Sequence, residues 1–380
     1  MTKAKQSTTA TRRKFLSGAA VASVATVVAP SVVKAQGPIS MRFQSTWPQK
    51  DIFHEYAQDY AKIVNDMTGG DLKIEVLPAG AVVPPFGLLD AVSKGTLDGG
   101  HGVLVYHYGK SNALALWGSG PGYGMDANML LAWHKYGGGK ELLAKLYASI
   151  GITTVISFLT GPMFTQPLGW FKKPITKWQD FKGMKFRTNG LAIDLFTAMG
   201  AAVNALPGGE IVPAMDRGLL DAAEFNNASS DRALGFADVS KVCMLQSYHQ
   251  NAEQFEITFN KTKYDALPAK MKAIIANSVS AASQEMQWKA IDRYSKDYIE
   301  LQTKDKVKFY KTPDSVLQAQ LKIFDDIVKK YSAVNPLFKE IVESQIAFAS
   351  RTTQWEQDTV VSRKMAFDYY FGPKGTAKKT

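Results

Sequence analysis

The sequence predicts an α/β fold of two lobes that face each other across a cleft, with a long connecting helix and a helical C-terminal tail. Segments with strand and helix periodicity alternate from Ile39 onward, which is typical of a parallel or mixed sheet covered by helices. A short motif occurs in two distant parts of the chain, and long helical stretches follow Pro268. About 345 of the 380 residues remain after the first 35, a length that favours two cores.

Residues 1–35 have the features of an export signal. Thr11–Leu16 (TRRKFL) is a twin-arginine pattern, and the weakly apolar run Gly18–Val33 precedes the small-residue segment Val33-Lys34-Ala35. That run of about 16 residues is too short and too mild for a membrane anchor. We therefore expect export by the twin-arginine route, cleavage after Ala35 and a periplasmic location.

Charge and motif content exclude several classes of function. Removing the six basic residues of residues 1–35 from the total of 45 leaves 39 basic against 34 acidic residues, a net charge of +5 rather than +11. There is no dense basic run between aromatic residues, so no nucleic-acid partner is expected. The single Cys243 excludes an intrachain disulfide and a cysteine-ligated metal cluster. No recognisable catalytic motif is present, so neither an enzyme nor an organic cofactor is expected.

The elements of the first lobe follow in order from Ile39. The predicted strands are Ile39–Gln44, Leu72–Leu77, Gly102–Gly109 and Thr153–Leu159, and the predicted helices are Ile52–Met67 and Lys140–Ala148. The strand at 102–109 is expected to place Tyr106 and Tyr108 on one face and to end at the cleft. These two side chains suit two roles equally well, as half-buried strand aromatics or as walls of a ligand site.

The repeated motif joins a short helix to a following strand. Leu89–Gly100 and Val212–Ala223 both contain a basic residue and a glycine, followed one residue later by Leu-Asp. The glycines fit helix C-caps, and the basic residues complement the helix dipole. The motif is either a shared stop signal of two βα units or the sign of two lobes with one plan, and both readings keep the α/β class.

The stretch from Gly183 to Asn227 predicts the order strand, helix, strand, helix, strand. The strands are Met184–Thr188, Ala201–Leu206 and Leu219–Phe225, and the helices are Leu191–Met199 and Glu210–Arg217. Ligands of such units bind at the carboxyl ends of the strands. Arg187 and Glu224 are therefore expected at strand ends that face one crevice.

The lobe boundaries follow from breaks in the pattern. Gly161–Pro167 is rich in turn residues, and the chain is expected to return near Gln254–Phe259. We expect residues 36–160 plus 258–305 in lobe I, residues 161–257 plus 306–330 in lobe II, and a helical C-terminal extension at 331–380. Pro268–Gln302 is the predicted long helix, and the helical tail from Pro313 needs a packing partner, which is either the lobes or a second chain.

Binding chemistry is concentrated in a few polar and aromatic residues. An arginine can hold a carboxylate by two parallel hydrogen bonds, so Arg187 is a candidate ligand residue, although a structural salt bridge with Glu224 is the competing interpretation. A buried Glu224 needs a cation, which a metal ion next to an anionic ligand would supply. The other candidates are Gln166, Asn189, Trp47, Tyr106, Tyr108, Phe225 and Tyr248.

At these residues the chain resembles the solute-receptor subunit of TRAP (tripartite ATP-independent periplasmic) transporters. The similarity covers the mature chain, and its most specific parts are Lys185–Gly190 (KFRTNG), Pro213–Glu224 (PAMDRGLLDAAE), Asp98–His101 and Gly169–Lys173. It is most similar to the branch that binds 2-oxo monocarboxylates and lactate. The resemblance implies a two-lobed periplasmic binding protein that closes over one ligand.

The same resemblance implies roles for individual residues. Arg187 matches the arginine that pairs with the ligand carboxylate. Gln166, Glu224 and the carbonyl of Phe225 match the ligands of a cation that bridges to the acid, for which Na⁺ or Ca²⁺ is expected. A tryptophan is common where this chain has Phe225. The implied partners are a small organic acid, the TRAP membrane permease subunits and, through the C-terminal helices, a second copy of the chain as a homodimer.

The expected function is therefore reception of a small 2-oxo or 2-hydroxy monocarboxylate for secondary active uptake. A receptor for a dicarboxylate, an aromatic acid or a sugar acid without a metal is the first alternative. A secreted, cofactor-containing enzyme is the alternative of another class, because twin-arginine export often carries folded proteins.

Overall fold

The computed structural model describes residues 1–2 and 37–373. The export signal expected at residues 1–35 therefore lies outside the described residues, apart from its first two. The chain divides into Met1–Gly37 and Pro38–Thr380, and every element below belongs to the second unit.

The second unit alternates strands and helices before it becomes helical. The strands are β1 (Ile39–Ser45), β2 (Leu72–Leu77), β3 (Gly99–Val103), β4 (Val155–Met163), β5 (Gly169–Phe171), β6 (Lys185–Arg187), β7 (Ala202–Asn204), β8 (Ala222–Ala223), β9 (Val242–Leu245), β10 (Glu253–Asn260) and β11 (Lys308–Lys311). The helices are α1 (Ile52–Met67), α2 (Leu88–Ser93), α3 (Ala127–Tyr136), α4 (Gly139–Ser149), α5 (Ala192–Ala198), α6 (Gly208–Asp216), α7 (Ala228–Leu234), α8 (Phe236–Val239), α9 (Lys261–Asp265), α10 (Ala269–Thr303), α11 (Asp314–Val334), α12 (Pro336–Thr359) and α13 (Arg363–Phe371).

Two sheets define two lobes, as the sequence predicted. The first sheet has the order β2-β1-β3-β10-β4, and the second has the order β11-β9-β5-β8-β6-β7. In the first, β1 runs parallel to β2 and β3, while β10 is antiparallel to β3 and β4. In the second, β6 is parallel to β7 and β8. The mixed α/β class is confirmed, and we call the elements around these sheets the first and the second lobe.

The structure places the crossings between the sheets outside the expected boundaries. Both expected limits, at 160/161 and at 257/258, fall inside strands, because β4 continues to Met163 and all of β10 belongs to the first sheet. Gly161-Pro162 does not end β4 because β4 is the edge strand of its sheet, where a missing N–H costs no ladder hydrogen bond. The chain therefore crosses within residues 164–168 and 246–252, and a third time between β10 and β11.

The strand predicted over residues 102–109 is wrong beyond Val103. β3 pairs with β10 only as far as Val103 opposite Phe255, and the pairing of β10 with β4 is irregular between Glu253 and Phe255. With no regular partner ahead of it, the chain turns into a 3₁₀ segment at Leu104–His107. Tyr106 and Tyr108 therefore do not share a strand face.

The long helix α10 joins the lobes. It begins directly after Pro268, which is compatible with a helix N-terminus, and runs for 35 residues. Lys289 forms ion pairs with Glu55 and Asp59 on α1 of the first lobe. Arg232 on α7 of the second lobe pairs with Asp297 of α10 at 3.1 Å. The predicted connecting helix is thus confirmed in extent and is tied to both lobes.

The C-terminal helices have two kinds of surroundings. On α12, Gln345 donates to the carbonyl of Leu116 at 2.8 Å, and Ser344 accepts the indole N–H of Trp133 at 3.0 Å, so this helix packs on the first lobe. By contrast, every residue of α13 is exposed. None of the helices within residues 37–373 combines the length and the apolar composition needed to cross a membrane.

Candidate ligand-binding site

A small cavity of about 20 Å³ lies between the lobes, at the carboxyl ends of β6 and β8. This volume is slightly larger than a single water molecule requires. Its walls include seven of the nine residues proposed from the sequence, namely Trp47, Tyr106, Gln166, Arg187, Asn189, Glu224 and Phe225. All of these except Tyr106 are buried, so the lobes are closed around the cavity.

Strand pairing brings Arg187 and Glu224 together. β6 and β8 are parallel and align Arg187 with Ala223, so Glu224 follows at the same edge of the sheet. Phe186, the residue before the arginine, is fully buried and stacks on Phe171 with ring centroids 5.9 Å apart. Packing of Phe186 into the lobe thus directs the next side chain to the opposite face, toward the cleft.

Arg187 is held by three hydrogen bonds and has one terminal nitrogen without a partner. Its Nε donates to the carbonyl of Leu206 at 2.8 Å, and its Nη1 donates to the carbonyl and to Oε1 of Glu224 at 3.0 and 2.9 Å. Among the described residues, Nη2 has no hydrogen-bond partner. The salt bridge considered from the sequence is therefore present. The expected two-pronged bond to a carboxylate does not fit this arrangement, because only Nη2 remains available.

Glu224 is fully buried and uses only one of its two carboxylate oxygens. Oε1 accepts from Arg187, while Oε2 has no partner within residues 37–373. Burial raises the pKa of Glu224 above its ordinary value, and the positive charge of Arg187 opposes that shift. An unpaired buried carboxylate oxygen is costly unless a donor or a cation satisfies it.

Gln166 presents a similar unsatisfied oxygen. Its Nε2 donates to Oε2 of Glu253 at 3.1 Å, whereas no described residue donates to its Oε1. Gln166 lies where the chain crosses between the sheets, and Glu253 begins β10 directly after the crossing at residues 246–252. An amide oxygen and a carboxylate oxygen in one buried cavity are ligands suited to a hard cation.

Sequence reasoning missed Glu253, which also lines the cavity. Its Oε2 accepts from Gln166 and from Gln250, both at 3.1 Å, and its Oε1 has no partner in the described part of the chain. Burial raises the pKa of Glu253 well above its ordinary value, Glu224 adds to the shift and Arg187 opposes it. A signal was available, because Glu253 directly precedes the predicted strand Gln254–Phe259 and extends the alternation of Phe255 and Ile257 by one step.

Aromatic rings form the first-lobe side of the cavity. Trp47 is buried and its indole N–H donates to Nδ1 of His101 at 2.9 Å, which fixes the ring. The ring of Tyr106 lies 5.8 Å from that of Trp47. On the other side, the ring of Phe225 lies 5.6 Å from the guanidinium carbon of Arg187. The cavity thus combines aromatic walls with the polar side chains of Gln166, Arg187 and Glu224.

Two of the proposed residues lie outside this cavity. Tyr108 donates to Oδ2 of Asp194 at 2.6 Å and lies 3.2 Å from the hydroxyl of Tyr331. Tyr248 is half-buried, and its backbone N–H donates to Gln320 at 2.9 Å. Their surroundings indicate roles in holding elements together rather than in lining the site.

A larger cavity of about 550 Å³ lies beside the first and shares Gln166 with it. Its walls come mainly from α10 and the second sheet, and they are mostly apolar, including Tyr294, Tyr298 and Phe309. It does not contain Arg187 or Glu224. Because recognition of an acid requires convergent polar groups, we assign the ligand site to the smaller cavity.

The donors in the small cavity fit a cation held by oxygen atoms alone. No group of three or more His, Cys, Asp or Glu side chains in the described ranges is arranged to hold a metal ion by itself. The unpaired oxygens of Gln166 and Glu224 leave further coordination positions to the backbone or to a ligand. This set suits Na⁺ or Ca²⁺ and does not suit a transition metal.

Comparisons with known proteins agree with this geometry. The sequence profile of the bacterial extracellular solute-binding proteins of family 7 (DctP) matches residues 43–334. The chain is 31% identical over 353 residues to a monocarboxylate 2-oxoacid-binding periplasmic protein from Nostoc sp. strain PCC 7120, with 91% of this chain and 96% of that protein covered.

Two solved structures have the same fold. A TRAP transporter solute-binding protein from Bordetella bronchiseptica, a mixed-occupancy dimer with copurified calcium and picolinate, is 26% identical with a TM-score of 0.81, covering 88% of this chain and 97% of that one. A TRAP periplasmic solute-binding protein from Pseudoalteromonas atlantica with bound sodium and pyruvate is 26% identical with a TM-score of 0.80, covering 88% and 99%.

Proposed function

Because the chain belongs to family 7 of the bacterial extracellular solute-binding proteins, the DctP family of TRAP solute receptors, we propose that its ligand is a small 2-oxo or 2-hydroxy monocarboxylate. Proteins of this family are binding proteins rather than enzymes, so the chain is a receptor. The relatives named for 2-oxoacids and for pyruvate support the ligand class. The acid is passed to the TRAP membrane permease for secondary active uptake.

The unpaired Nη2 of Arg187 is the observation that carries this proposal. A guanidinium nitrogen that is buried without an acceptor is costly, and a ligand carboxylate placed against it removes that cost. The three hydrogen bonds to Leu206 and Glu224 fix the orientation of this nitrogen before the ligand arrives. The aromatic rings of Trp47 and Tyr106 enclose the rest of a small acid.

A cation completes the site in this proposal. Gln166 and Glu224 would hold it through their unpaired oxygens, with the carbonyl of Phe225 as a third protein ligand. When bound, the cation supplies positive charge to the oxygen next to the ligand carboxylate. Relatives with sodium or with calcium support either ion.

A ligand and cation screen tests the proposal. Purified mature protein, stripped with a chelator, would be titrated by calorimetry with pyruvate, lactate, 2-oxobutyrate, succinate and galacturonate, each with Ca²⁺, with Na⁺ and with neither. We expect only the 2-oxo and 2-hydroxy monocarboxylates to bind. Their affinity should be lower without the cation, and lower in Glu224→Ala. Tight binding of succinate or galacturonate that is indifferent to the cation would favour the metal-free alternative.

A second copy of the chain is the proposed partner of the C-terminal tail. The nine residues of α13 are exposed and include Met365, Phe367, Tyr369, Tyr370 and Phe371. Exposed apolar patches of this kind mark protein–protein contacts. The relative from Bordetella bronchiseptica is described as a dimer, which supports a homodimer through the C-terminal helices.

The export route is likewise a proposal. Family membership makes the chain an extracellular solute-binding protein, and the twin-arginine pattern Arg12-Arg13 supports delivery to the periplasm in the folded state. Replacing both arginines with lysine in the full-length precursor should leave it uncleaved in the cytoplasm. Normal periplasmic accumulation of that variant would point to a different export route.

A further inference from the structure

We propose that Glu253 is a positioning residue that orients the side-chain amide of Gln166, so that Gln166 presents its carbonyl oxygen to the cation. This role rests on the cation site proposed above. It concerns a residue that the sequence analysis did not single out, and one that acts through another side chain.

The two ends of a glutamine amide have nearly the same shape, so hydrogen-bond partners decide which end points where. Nε2 of Gln166 lies 3.1 Å from Oε2 of Glu253, and that oxygen also accepts from Nε2 of Gln250 at 3.1 Å. Oε1 of Gln166 has no donor among the described residues. The only other contact of Nε2 in that part of the chain is a weak one, at 3.8 Å, with the sulfur of Met163.

A flipped amide would bring the carbonyl oxygen of Gln166 against Oε2 of Glu253, an oxygen that already accepts from Nε2 of Gln250. Two acceptors at hydrogen-bond distance repel each other, and the NH₂ group would then face the cation. The arrangement with the oxygen toward the cavity is therefore the one that Glu253 selects. Groups that orient a metal ligand in this way change metal affinity by about 10–100-fold when they are removed.

Glu253 is itself held in place by its surroundings. It is buried, and it begins β10 at the point where that strand pairs with Met163. A Cβ atom at Gly118 would lie 2.5 Å from its Cγ, so the backbone of the first lobe packs directly against the side chain. Since Gln166 and Gln250 lie on two different connections between the sheets, one carboxylate fixes an amide from each of these connections.

A competing possibility is that Glu253 binds the cation directly, because its Oε1 also lacks a partner among the described residues. The two roles differ in what a conservative change does. Glu253→Gln keeps an oxygen acceptor for Gln166 but removes the negative charge. Glu253→Met keeps the length of the side chain and removes the acceptor.

Calorimetric titration of the whole mature chain with Ca²⁺ alone distinguishes these roles. We expect Glu253→Gln to retain Ca²⁺ affinity within about threefold and Glu253→Met to lose about tenfold or more, as for other orienting groups. Glu256→Gln is the matched control: Glu256 is a fully buried glutamate on the same strand, its partners are Tyr147 and Ser157, and it does not line the cavity. Its Ca²⁺ affinity should equal that of the unaltered protein.

The outcomes separate this role from the proposed function. If the unaltered protein binds Ca²⁺ and pyruvate and Glu253→Met binds Ca²⁺ equally well, the orienting role is rejected and the proposed function stands. If Glu253→Gln loses as much affinity as Glu253→Met, charge rather than orientation is responsible, and the role is again rejected. A protein that binds neither Ca²⁺ nor Na⁺ removes the cation site altogether. If circular dichroism shows that Glu253→Met does not fold, a tenfold loss of Ca²⁺ affinity in Glu253→Gln still rejects the role.

Discussion

A buried arginine can bind a ligand only if its own protein does not satisfy every N–H group. Arg187 has both properties that a receptor needs, because three hydrogen bonds fix the guanidinium while Nη2 stays free among the described residues. The ion pair with Glu224 and the role in ligand binding, which the sequence presented as competing interpretations, are therefore compatible. In the proposed site, the ion pair orients the guanidinium whose Nη2 would contact the ligand.

Replacing Arg187 with lysine should remove most of the ligand affinity. A lysine retains the charge, but its single nitrogen cannot reach Leu206, Glu224 and a ligand at once. A charge-assisted hydrogen bond contributes about 1.5–3 kcal/mol, so the affinity for pyruvate should fall by about 10–150-fold. Calorimetry with Arg217→Lys as the control, an arginine that is exposed after α6, would measure this. An affinity within threefold of the unaltered protein would contradict the role of Arg187.

At single residues, the sequence predicted what depends on strand ends and missed what depends on contacts between distant segments of the chain. Arg187 and Glu224 were predictable because parallel strands end at the same edge of a sheet. Tyr108 was placed wrongly with Tyr106, since the loss of strand pairing after Val103 is a tertiary effect. Glu253 was missed because its partners, Gln166 and Gln250, are distant in the sequence or on an irregular segment.

Among the elements, strand β10 carries a second buried carboxylate, Glu256, whose ionisation should make stability depend on pH. Glu256 bonds Tyr147 and Ser157 in the first lobe, and burial raises its pKa from 4.5 to about 7. His107, whose Nε2 lies 3.9 Å from Oε2 of Glu256, has its pKa lowered to about 4 by burial and is neutral above that pH. Glu256 is therefore a protonated acid in the folded protein at mildly acidic pH.

A rise in pH should lower the contribution of Glu256 to the free energy of unfolding. Between pH 4.5 and 7 the folded state retains the proton on Glu256 and the unfolded state does not, so the free energy of unfolding falls as the pH rises. At about 1.4 kcal/mol per pH unit, the loss approaches 3 kcal/mol at pH 7. Urea unfolding at several pH values should show this slope in the difference between the unaltered protein and Glu256→Gln. A difference that is independent of pH would mean that Glu256 ionises normally.

Hydrogen bonds outside the ligand cavity join the first lobe to the second. Tyr108 follows the first-lobe strand β3, Asp194 lies on α5 of the second lobe, and Tyr331 lies on α11 and donates to Oδ1 of Asp194 at 2.7 Å. We call these three residues the rim latch. It explains why Tyr108 lies outside the ligand cavity: its hydroxyl joins the first lobe to the second.

Tyr108→Phe should open the receptor more often without changing the cavity. Loss of a hydrogen bond worth about 0.5–1.5 kcal/mol should raise the ligand dissociation rate by about 2–10-fold and leave the association rate nearly unchanged. Stopped-flow tryptophan fluorescence with pyruvate would measure both rates. The control is Tyr310→Phe, an exposed tyrosine on β11. An unchanged dissociation rate would show that the latch does not contribute to closure.

At the scale of the whole molecule, the α/β class, the two sheets and the long helix α10 followed from periodicity and from breaks in it. The first crossing was displaced because an edge strand tolerates Gly161-Pro162, and the second because all of β10 belongs to the first sheet. The surroundings of the tail could not be predicted, since amphipathic helices show which face is apolar but not what covers it. In the structure, α12 packs on the first lobe through Gln345, whereas α13 remains exposed.

The exposed face of α13 should therefore determine the oligomeric state. Phe367 and Phe371 are one helical turn apart, their ring centroids lie 5.7 Å from each other, and both are more than half exposed. In a dimer joined by the tails they would be buried, and charged residues in their place would oppose association. We expect the mature protein to be a dimer in light scattering after size exclusion, and Phe367→Glu/Phe371→Glu to be a monomer with unchanged pyruvate affinity. Tyr136→Glu, an exposed aromatic at the end of α3, should remain a dimer. Equal masses for all three proteins would exclude α13 as the contact.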